Sequence, residues 1–432
     1  MQQKKIGVGL LGCGTVGGGV SQVILRESDH LEKRSGVRLE LKKVLVRDST
    51  KARPIPPALI TTRPEDVIDN PDIGIVVELI GGLQPAGDWI LRSIKNGKRV
   101  VTANKYLLAH RGGELFSAAA AAGSCVCFEA SCGGAIPIVL ALTRGLIANE
   151  IKSVVGILNG TCNYILTQMT QNDKPYSVAL AEAQQAGFAE ADPHMDVSGL
   201  DSGHKLAVLA SLAFGANIGP DDIDIHGITS LQDVDLRYAR ELGYVCKLLA
   251  IAQRQDSGVS LRVHPALIPL SHPLAGVNGS YNAVSVDGSV AGRTVYFGRG
   301  AGAMPTASAV LADILEAAMG PTAAFFASHP LLNHRHPISI ISPAAVNTRH
   351  YLRIAALDKP GTVHQITGVL GRHRISISAM TQHEAKAGAY VPLVITTHEA
   401  LDGGITEALA ELSQLSCVSG VPAHLRILDD YE

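Results

Sequence analysis

The stretch KKIGVGLLGCGTVGGGV, residues 4–20, constrains this 432-residue chain more than any other. Two lysines before a run of apolar and small residues match the opening of a secretory signal peptide. They equally match a β-strand that turns through glycines into a helix. Gly7, Gly9, Gly12 and Gly14 break the run too often for a helical signal core, and no small-x-small cleavage site with polar sequence follows. Ile6, Val8, Leu10 and Leu11 instead read as a short buried strand. Gly12-Cys13-Gly14-Thr15-Val16-Gly17 then fits G-x-G-x-x-G. Such glycines permit a tight turn, approach of the backbone to a pyrophosphate, and close packing of the following helix. Residues 20–25 read as part of that helix.

The length implies about two or three domains with a sizeable core. Thirty-seven basic residues against 39 acidic ones give a formal net charge of −2, so a nucleic-acid partner is not expected. A single Trp argues in the same direction. The longest apolar candidate for a membrane span, residues 206–218, is too short and reads as a buried helix. Seven cysteines without a C-x-x-C pair indicate thiols in a cytoplasmic protein, with Cys125 and Cys127 alternating along one strand.

Strands expected at residues 39–46, 73–79, 99–102 and 125–129 alternate with helical connections, which implies a doubly wound parallel sheet over residues 1–128. A mixed α/β domain is expected over 129–302. It includes a strand at 151–158, helices at 201–214 and 236–252, and strands between 261 and 297. Pro305 near a helix start and apolar spacing over 303–320 predict a helix that returns to the nucleotide domain. Residues 321–349, rich in Pro, His and Ser, read as a solvated linker. His329, His334 and His336 lack the i, i+4 spacing and the carboxylates of a metal site. Residues 350–432 read as a βαββαβ unit, expected to fold as a separate module.

The chemistry concentrates in GFAEADPHMDVSGLDSGHKLAVLASLAFG, residues 187–215. Asp201 and Lys205 stand four apart and share a helix face. Apolar residues on most sides of that helix direct Lys205 into protein, where burial lowers an ammonium pKa toward the range of proton transfer. Glu190, Asp192 and Asp196 precede the helix, and such density of carboxylates fits recognition of a substrate amine. Lys105 follows the strand at 99–102 and therefore stands at the carboxyl edge of the sheet. After the second strand, Arg47 comes before Asp48 and can meet a 2′-phosphate, which favours NADPH at least equally with NADH.

In this order, GLLGCGTVGGGV, VVTANKYLLA, EASCGGAIPI, GILNGTCNYIL, GFAEADPHMDVSGLDSGHKLAVLA and GRGAGAMPTASAV resemble homoserine dehydrogenase. The tail LDKPGTVHQITGVLGRHRISISAMTQ resembles an ACT regulatory domain. The resemblance covers essentially the whole chain. It implies a Rossmann-type NAD(P)-binding domain, an α/β catalytic and dimerisation domain, and a C-terminal ferredoxin-like ACT domain. The implied reaction is reversible reduction of L-aspartate 4-semialdehyde to L-homoserine with NADP or NAD, by a cytoplasmic homodimer or homotetramer.

Residue by residue, the resemblance assigns Leu11, Gly12, Gly14, Thr15, Val16, Gly17 and Lys105 to cofactor contact, with Gly187 and Gly302 closing over the site. It assigns Glu190 to the substrate ammonium, Asp201 to support of substrate and lysine, Lys205 to general-acid catalysis, and Gly160 and Thr161 to a substrate-lining turn. It places a monovalent cation, Na+ or K+, at Glu129, Cys132, Gly134 and Ile136, mostly through backbone carbonyls. An ACT domain in such an enzyme implies an amino-acid effector, with threonine the expected one. Two other readings stay open on the residues alone: a different ACT-linked dehydrogenase acting on a hydroxy acid, and a non-catalytic cofactor-sensing regulator. The first class ordinarily uses a catalytic His. His204 is adjacent to Lys205 and on a helix points about 100° away from it.

Overall fold

The computed structural model describes residues 4–320, 322–329, 332, 336–383 and 388–428. His334 and the extreme ends of the expected first and last domains lie outside the described residues. The chain forms two compact units. One comprises Met1–Leu158, Asp201–Ile223 and Tyr281–Ile338; the other comprises Asn159–Leu200, Asp224–Ser280 and Ser339–Glu432.

The first unit is built on a six-stranded sheet of β1 (Lys4–Leu11), β2 (Val37–Leu45), β3 (Ile60–Thr61), β4 (Ile75–Glu78), β5 (Arg99–Thr102) and β6 (Val126–Cys127). The strand order is β3-β2-β1-β4-β5-β6 and every pair is parallel. Covered on both faces, such strands are continuous apolar runs: Val8, Leu10, Leu11, Ile75, Val76, Val77, Val100 and Val101 are buried. The order reverses between β1 and β4, so the carboxyl ends of β1, β4 and β5 border the crevice where a doubly wound sheet binds ligands. The helix Ala303–Met319 packs on the helix Thr15–Ser35. Their close approach is at Gly19, where a Cβ would lie 3.2 Å from that of Ala307. His329, read as part of a solvated linker, is instead buried, its Nε2 2.8 Å from the Thr143 carbonyl oxygen.

Beyond the parallel sheet come β7 (Ile151–Ile157), β8 (Asp224–Ile225), β9 (Tyr244–Gln255), β10 (Gly258–Pro269), β11 (Tyr281–Gly288) and β12 (Gly292–Arg299). In the first unit, β11 runs antiparallel to both β7 and β12. In the second, β9 and β10 form a long antiparallel hairpin from Gly258↔Gln255 to Pro269↔Tyr244.

The hairpin corrects the helix expected over 236–252. Only Asp233–Glu241 is helical, and Gly243, with φ +83, turns the chain into β9. Both faces of β9 are covered, so Val245, Cys246 and residues 248–252 are all buried. A continuous apolar run of this kind carries no period to separate strand from helix.

The tail supplies β13 (Asn347–Leu357), β14 (Ile377–Gln382), β15 (Tyr390–Thr397), β16 (Ala400–Leu401) and β17 (Val418–Ile427), with helices Thr362–Arg372 and Asp402–Leu412. Its sheet order is β17-β13-β15-β14, over a core that includes Leu352, Ile354, Ile366, Leu370, Leu393, Ile395 and Ile405. The tail does not stand apart. β17 pairs in parallel with β10 through Ala266↔Arg426 and Leu267↔Ile427. Asp235 accepts hydrogen bonds from Tyr351 Oη at 2.9 Å and Arg353 Nε at 2.7 Å.

Candidate active site

The end of β1 makes the first half of the site. Leu11 is buried at the strand's end, and Gly12 follows with φ +110. A Cβ on Gly12 would lie 2.8 Å from the Leu79 carbonyl oxygen, and one on Gly17 would lie 2.4 Å from the Gly12 carbonyl oxygen. Neither position tolerates a side chain. Gly14 caps the helix Thr15–Ser35, and a Cβ there would meet nothing within 4 Å. The first-turn N–H groups of a helix lack intrahelical acceptors, so Thr15, Val16 and Gly17 open a helix with no side chain at its cap. This cradle fits a pyrophosphate. After β2, Arg47 is exposed, whereas the Asp48 carboxylate accepts hydrogen bonds from Thr50 N at 2.8 Å and Thr50 Oγ1 at 2.6 Å. These bonds draw the Asp48 carboxyl below its ordinary pKa, the Thr50 hydroxyl contributing most.

The lysines meet on one carboxylate. Asp201 lies in the first turn of the helix Leu200–Phe214, and Lys205 follows one turn later. Lys205 Nζ is 2.6 Å from Asp201 Oδ2, while Lys105 Nζ is 3.1 Å from Asp201 Oδ1. Lys205 Nζ also donates to the Leu158 carbonyl at 2.6 Å. The side chains of Lys205, Asp201 and Lys105 are 12, 11 and 35% exposed, so the cluster is neither sealed nor fully solvated. Lys105 opens the helix Lys105–Ala121, whose cap is Asn104, with Oδ1 accepting from Leu107 N at 3.1 Å. His204 packs edge-on to Tyr106 with ring centroids 4.9 Å apart.

The expected residues between Gly160 and Asp196 belong to the second unit. Gly160 and Thr161 open the helix Gly160–Gln171, which Asn159 caps by accepting from Cys162 N at 2.8 Å. Asn159 Nδ2 donates to Asp196 Oδ1 at 2.7 Å, which ties Asp196 to that helix start. Thr161 Oγ1 donates to the Phe188 carbonyl at 2.6 Å. Gly187, with φ +73, turns the chain after the helix Tyr176–Gln185. Glu190 is exposed beyond it, in a loop held by Gln184 Nε2 through the carbonyls of Glu190 and Ala191. Asp192 accepts from His194 N at 3.1 Å and caps a turn.

Comparison with known proteins bears on all of this chain. Residues 12–129 match the family described as "Homoserine dehydrogenase, NAD binding domain", 137–315 match "Homoserine dehydrogenase", and 350–414 match "ACT domain". The homoserine dehydrogenase of Pseudomonas aeruginosa is 41% identical over 98% of this chain and 99% of its own. That of Synechocystis is 42% identical over 98% and 99%. The crystal structure of a homoserine dehydrogenase from Thiobacillus denitrificans superposes with a TM-score of 0.92 at 43% identity, covering 99% of each chain. The chain belongs to the homoserine dehydrogenase family. It is an NAD(P)-dependent oxidoreductase with a Rossmann-type domain, a catalytic domain and a C-terminal ACT domain.

Within a homoserine dehydrogenase, the loop after β6 is the expected cation position. The Glu129 carboxylate accepts from Val139 N at 2.9 Å and Leu140 N at 2.8 Å, while burial raises its pKa to about 7. Burial likewise pushes the Cys132 thiol up to about 12, and its Sγ lies 3.7 Å from the Lys205 carbonyl oxygen. Among the described residues no group of three or more His, Cys, Asp or Glu side chains is placed to hold a metal. What the loop offers is the backbone carbonyls of a glycine turn, with Gly134 at φ +57 and Ile136 N bonded back to Gly133 O. Neutral hard oxygens of this kind fit an alkali cation better than a transition metal. Gly302, with φ +120, caps the helix Ala303–Met319.

Two contributors were not expected from the sequence. Glu78, buried at the end of β4, accepts from Ile80 N at 2.8 Å, Gly81 N at 2.9 Å and Thr102 Oγ1 at 2.6 Å. It thereby organises the loops after β4 and β5, which lead to Lys105. A carboxylate inside an apolar strand was its signal. The Leu158 carbonyl has no such signal, because every residue carries one.

Proposed function

We propose that Lys205 is the general acid in the reduction of L-aspartate 4-semialdehyde to L-homoserine. The observation that carries this reading is that Asp201 holds both lysines, one on each oxygen, while Leu158 takes a second Lys205 N–H. An ammonium has three N–H donors. Two are committed, and the third is available to a substrate oxygen. The nicotinamide, when bound, supplies the hydride. As negative charge develops on the substrate oxygen, Lys205 stabilises it by hydrogen bonding and then transfers its proton. Asp201 orients the donor and offsets the repulsion between two neighbouring ammonium groups, and Lys105 adds positive charge at the cofactor side. Glu190 is assigned the substrate ammonium, with Asp196 supporting the Gly160–Thr161 turn. In the reverse direction Lys205 takes the proton back.

Further features support the finer assignments. Exposed Arg47 favours NADPH, since Asp48, the natural partner of a ribose diol, is turned to Thr50. Glu129, Cys132, Gly134 and Ile136 would hold Na+ or K+, which would supply fixed positive charge to the loop. The exposed stripe of Val295 and Phe297 on β12, with Tyr281 stacked on Phe297 at 5.0 Å, supports a homodimer or homotetramer. Among the described residues no single helix is long and apolar enough to cross a membrane, and a cytoplasmic enzyme is the accompanying reading. Threonine is the effector assigned to the ACT domain. Turnover of aspartate semialdehyde by Lys205→Ala, with cofactor binding measured alongside, tests the central claim: sustained turnover removes Lys205 from the mechanism. Arg47→Ala tests the cofactor assignment and should lower the NADPH-to-NADH ratio about tenfold.

A further inference from the structure

The geometry points to Asn282 as a positioning residue for Lys205, an inference that rests on Lys205 being the general acid. The Leu158 carbonyl accepts two hydrogen bonds, from Lys205 Nζ at 2.6 Å and from Asn282 Nδ2 at 3.0 Å. A carbonyl oxygen has two lone pairs, and these two donors occupy them. Asn282 is the second residue of β11, paired with Gly298 on β12, and is buried at 1% exposure.

Its side chain is boxed. A Cβ on Gly300 would lie 2.1 Å from the Asn282 amide nitrogen, so the amide occupies space that any other residue at position 300 would fill. A Cβ on Gly134 would in turn lie 2.5 Å from the Gly300 carbonyl oxygen, so the strand end behind Asn282 is packed as closely. The orientation of the amide is decided by chemistry, since only Nδ2 can donate to Leu158. The same orientation leaves Asn282 Oδ1 buried without a protein partner among the described residues. An apolar side chain of the same shape would avoid that cost. Fixing the Leu158 carbonyl is the role that accounts for an asparagine here.

Leu158 lies just past the end of β7, outside the register that pairs β7 with β11. Without the Asn282 donor the Leu158 carbonyl keeps only its bond from Lys205, so one of the two acceptors that aim the third N–H is less firmly placed. The expected consequence is a misaligned and less stabilised ammonium. Asn282 touches neither substrate nor cofactor in this account and acts only through Lys205.

Two variants test the assignment in the direction of semialdehyde reduction. Asn282→Leu keeps the volume and removes the donor; Asn282→Asp keeps the shape and donates only when protonated. Both should lower kcat about ten- to a hundredfold with cofactor affinity unchanged, and in Asn282→Leu the basic limb of the kcat–pH profile should move to lower pH. The Asp variant should recover toward wild type at acid pH, and the Leu variant should not. Loss of packing alone would move neither the limb nor the recovery. Wild-type kcat with an unshifted limb in either variant, folded as judged by cofactor binding, overturns the proposal. Should Asn282→Leu fail to fold, the acid recovery of Asn282→Asp decides alone, its absence counting against. A Lys205→Ala variant that turns over defeats the general-acid reading itself. An inactive Lys205→Ala beside fully active Asn282 variants defeats only the role of Asn282.

Discussion

Lys205 and Lys247 are both lysines taken largely out of water, and they are handled in opposite ways. Lys205 has a carboxylate on one donor and a carbonyl on another, and its side chain keeps 12% exposure. Lys247, on β9 in the second unit, is 1% exposed. It donates to the Val277 carbonyl, to Asn278 Oδ1 at 3.1 Å and to Asn163 Oδ1 at 3.3 Å. All three acceptors are neutral, and they use all three donors. Burial pushes the Lys247 ammonium down to about 8. Lys247 ties the helix Gly160–Gln171 to the loop before β11 and has no donor left for a ligand. The difference between chemistry and architecture therefore lies in what each ammonium leaves uncommitted, and depth of burial alone would choose the wrong lysine.

The comparison breaks most sharply at Lys205. Lys205→Ala should lower kcat about a hundred- to ten-thousandfold, with the melting temperature within about two degrees of wild type. Steady-state kinetics beside a thermal melt checks both halves. Asp201→Asn comes next. It leaves two ammonium groups facing a neutral amide, and kcat should fall about a hundredfold. An Asn variant with wild-type kcat would mean that the shared carboxylate does not orient Lys205.

The two lysines were not equally legible. Asp201 and Lys205 could be read as one face because i, i+4 spacing is local and the helix ends at Phe214 as expected. The bond from Lys105 to Asp201 spans nearly a hundred residues, and only the position of Lys105 at the sheet's carboxyl edge hinted at it. Lys247 was hidden by the apolar run on either side, which reads as a helix and gives no sign of where its lysine points. The strand β9 instead points it off the sheet onto the helix Gly160–Gln171 and the loop before β11, whose oxygens receive it. The parallel sheet was legible through its alternation of apolar runs and helices. The pairing of β17 with β10 was not, since an edge-to-edge contact between strands so far apart leaves no pattern in either.

Lys247→Met should show the converse of Lys205→Ala. Turnover stays near wild type while three acceptors lose the Lys247 donor, and the net loss of stability at pH 7 should be about 2 kcal/mol after the relief of removing a buried charge. Denaturant unfolding measures it. A variant as stable as wild type would mean that the carbonyl cage holds nothing together, and a variant with lost turnover would erase the distinction between the lysines.

The pH dependence of that loss is the smallest effect and the most specific. The folded pKa of Lys247 is about 8, against an ordinary 10.5 for an exposed lysine. The unfolded chain therefore holds this proton more tightly, and between those values unfolding takes a proton up. Stability rises with pH wherever the unfolded state binds more protons. The wild type should thus gain stability from Lys247 as pH rises from about 8 to 10.5, with little change from this group outside that window. The Met variant lacks the group and cannot share the gain, so its deficit widens. Between pH 7 and pH 9 the widening should be about 1 kcal/mol. Taking the difference between the two proteins at each pH cancels the other titrating groups that they share. A deficit that stays flat or narrows over this range would mean that Lys247 remains charged in the folded protein, held by its three carbonyl oxygens as firmly as water would hold it.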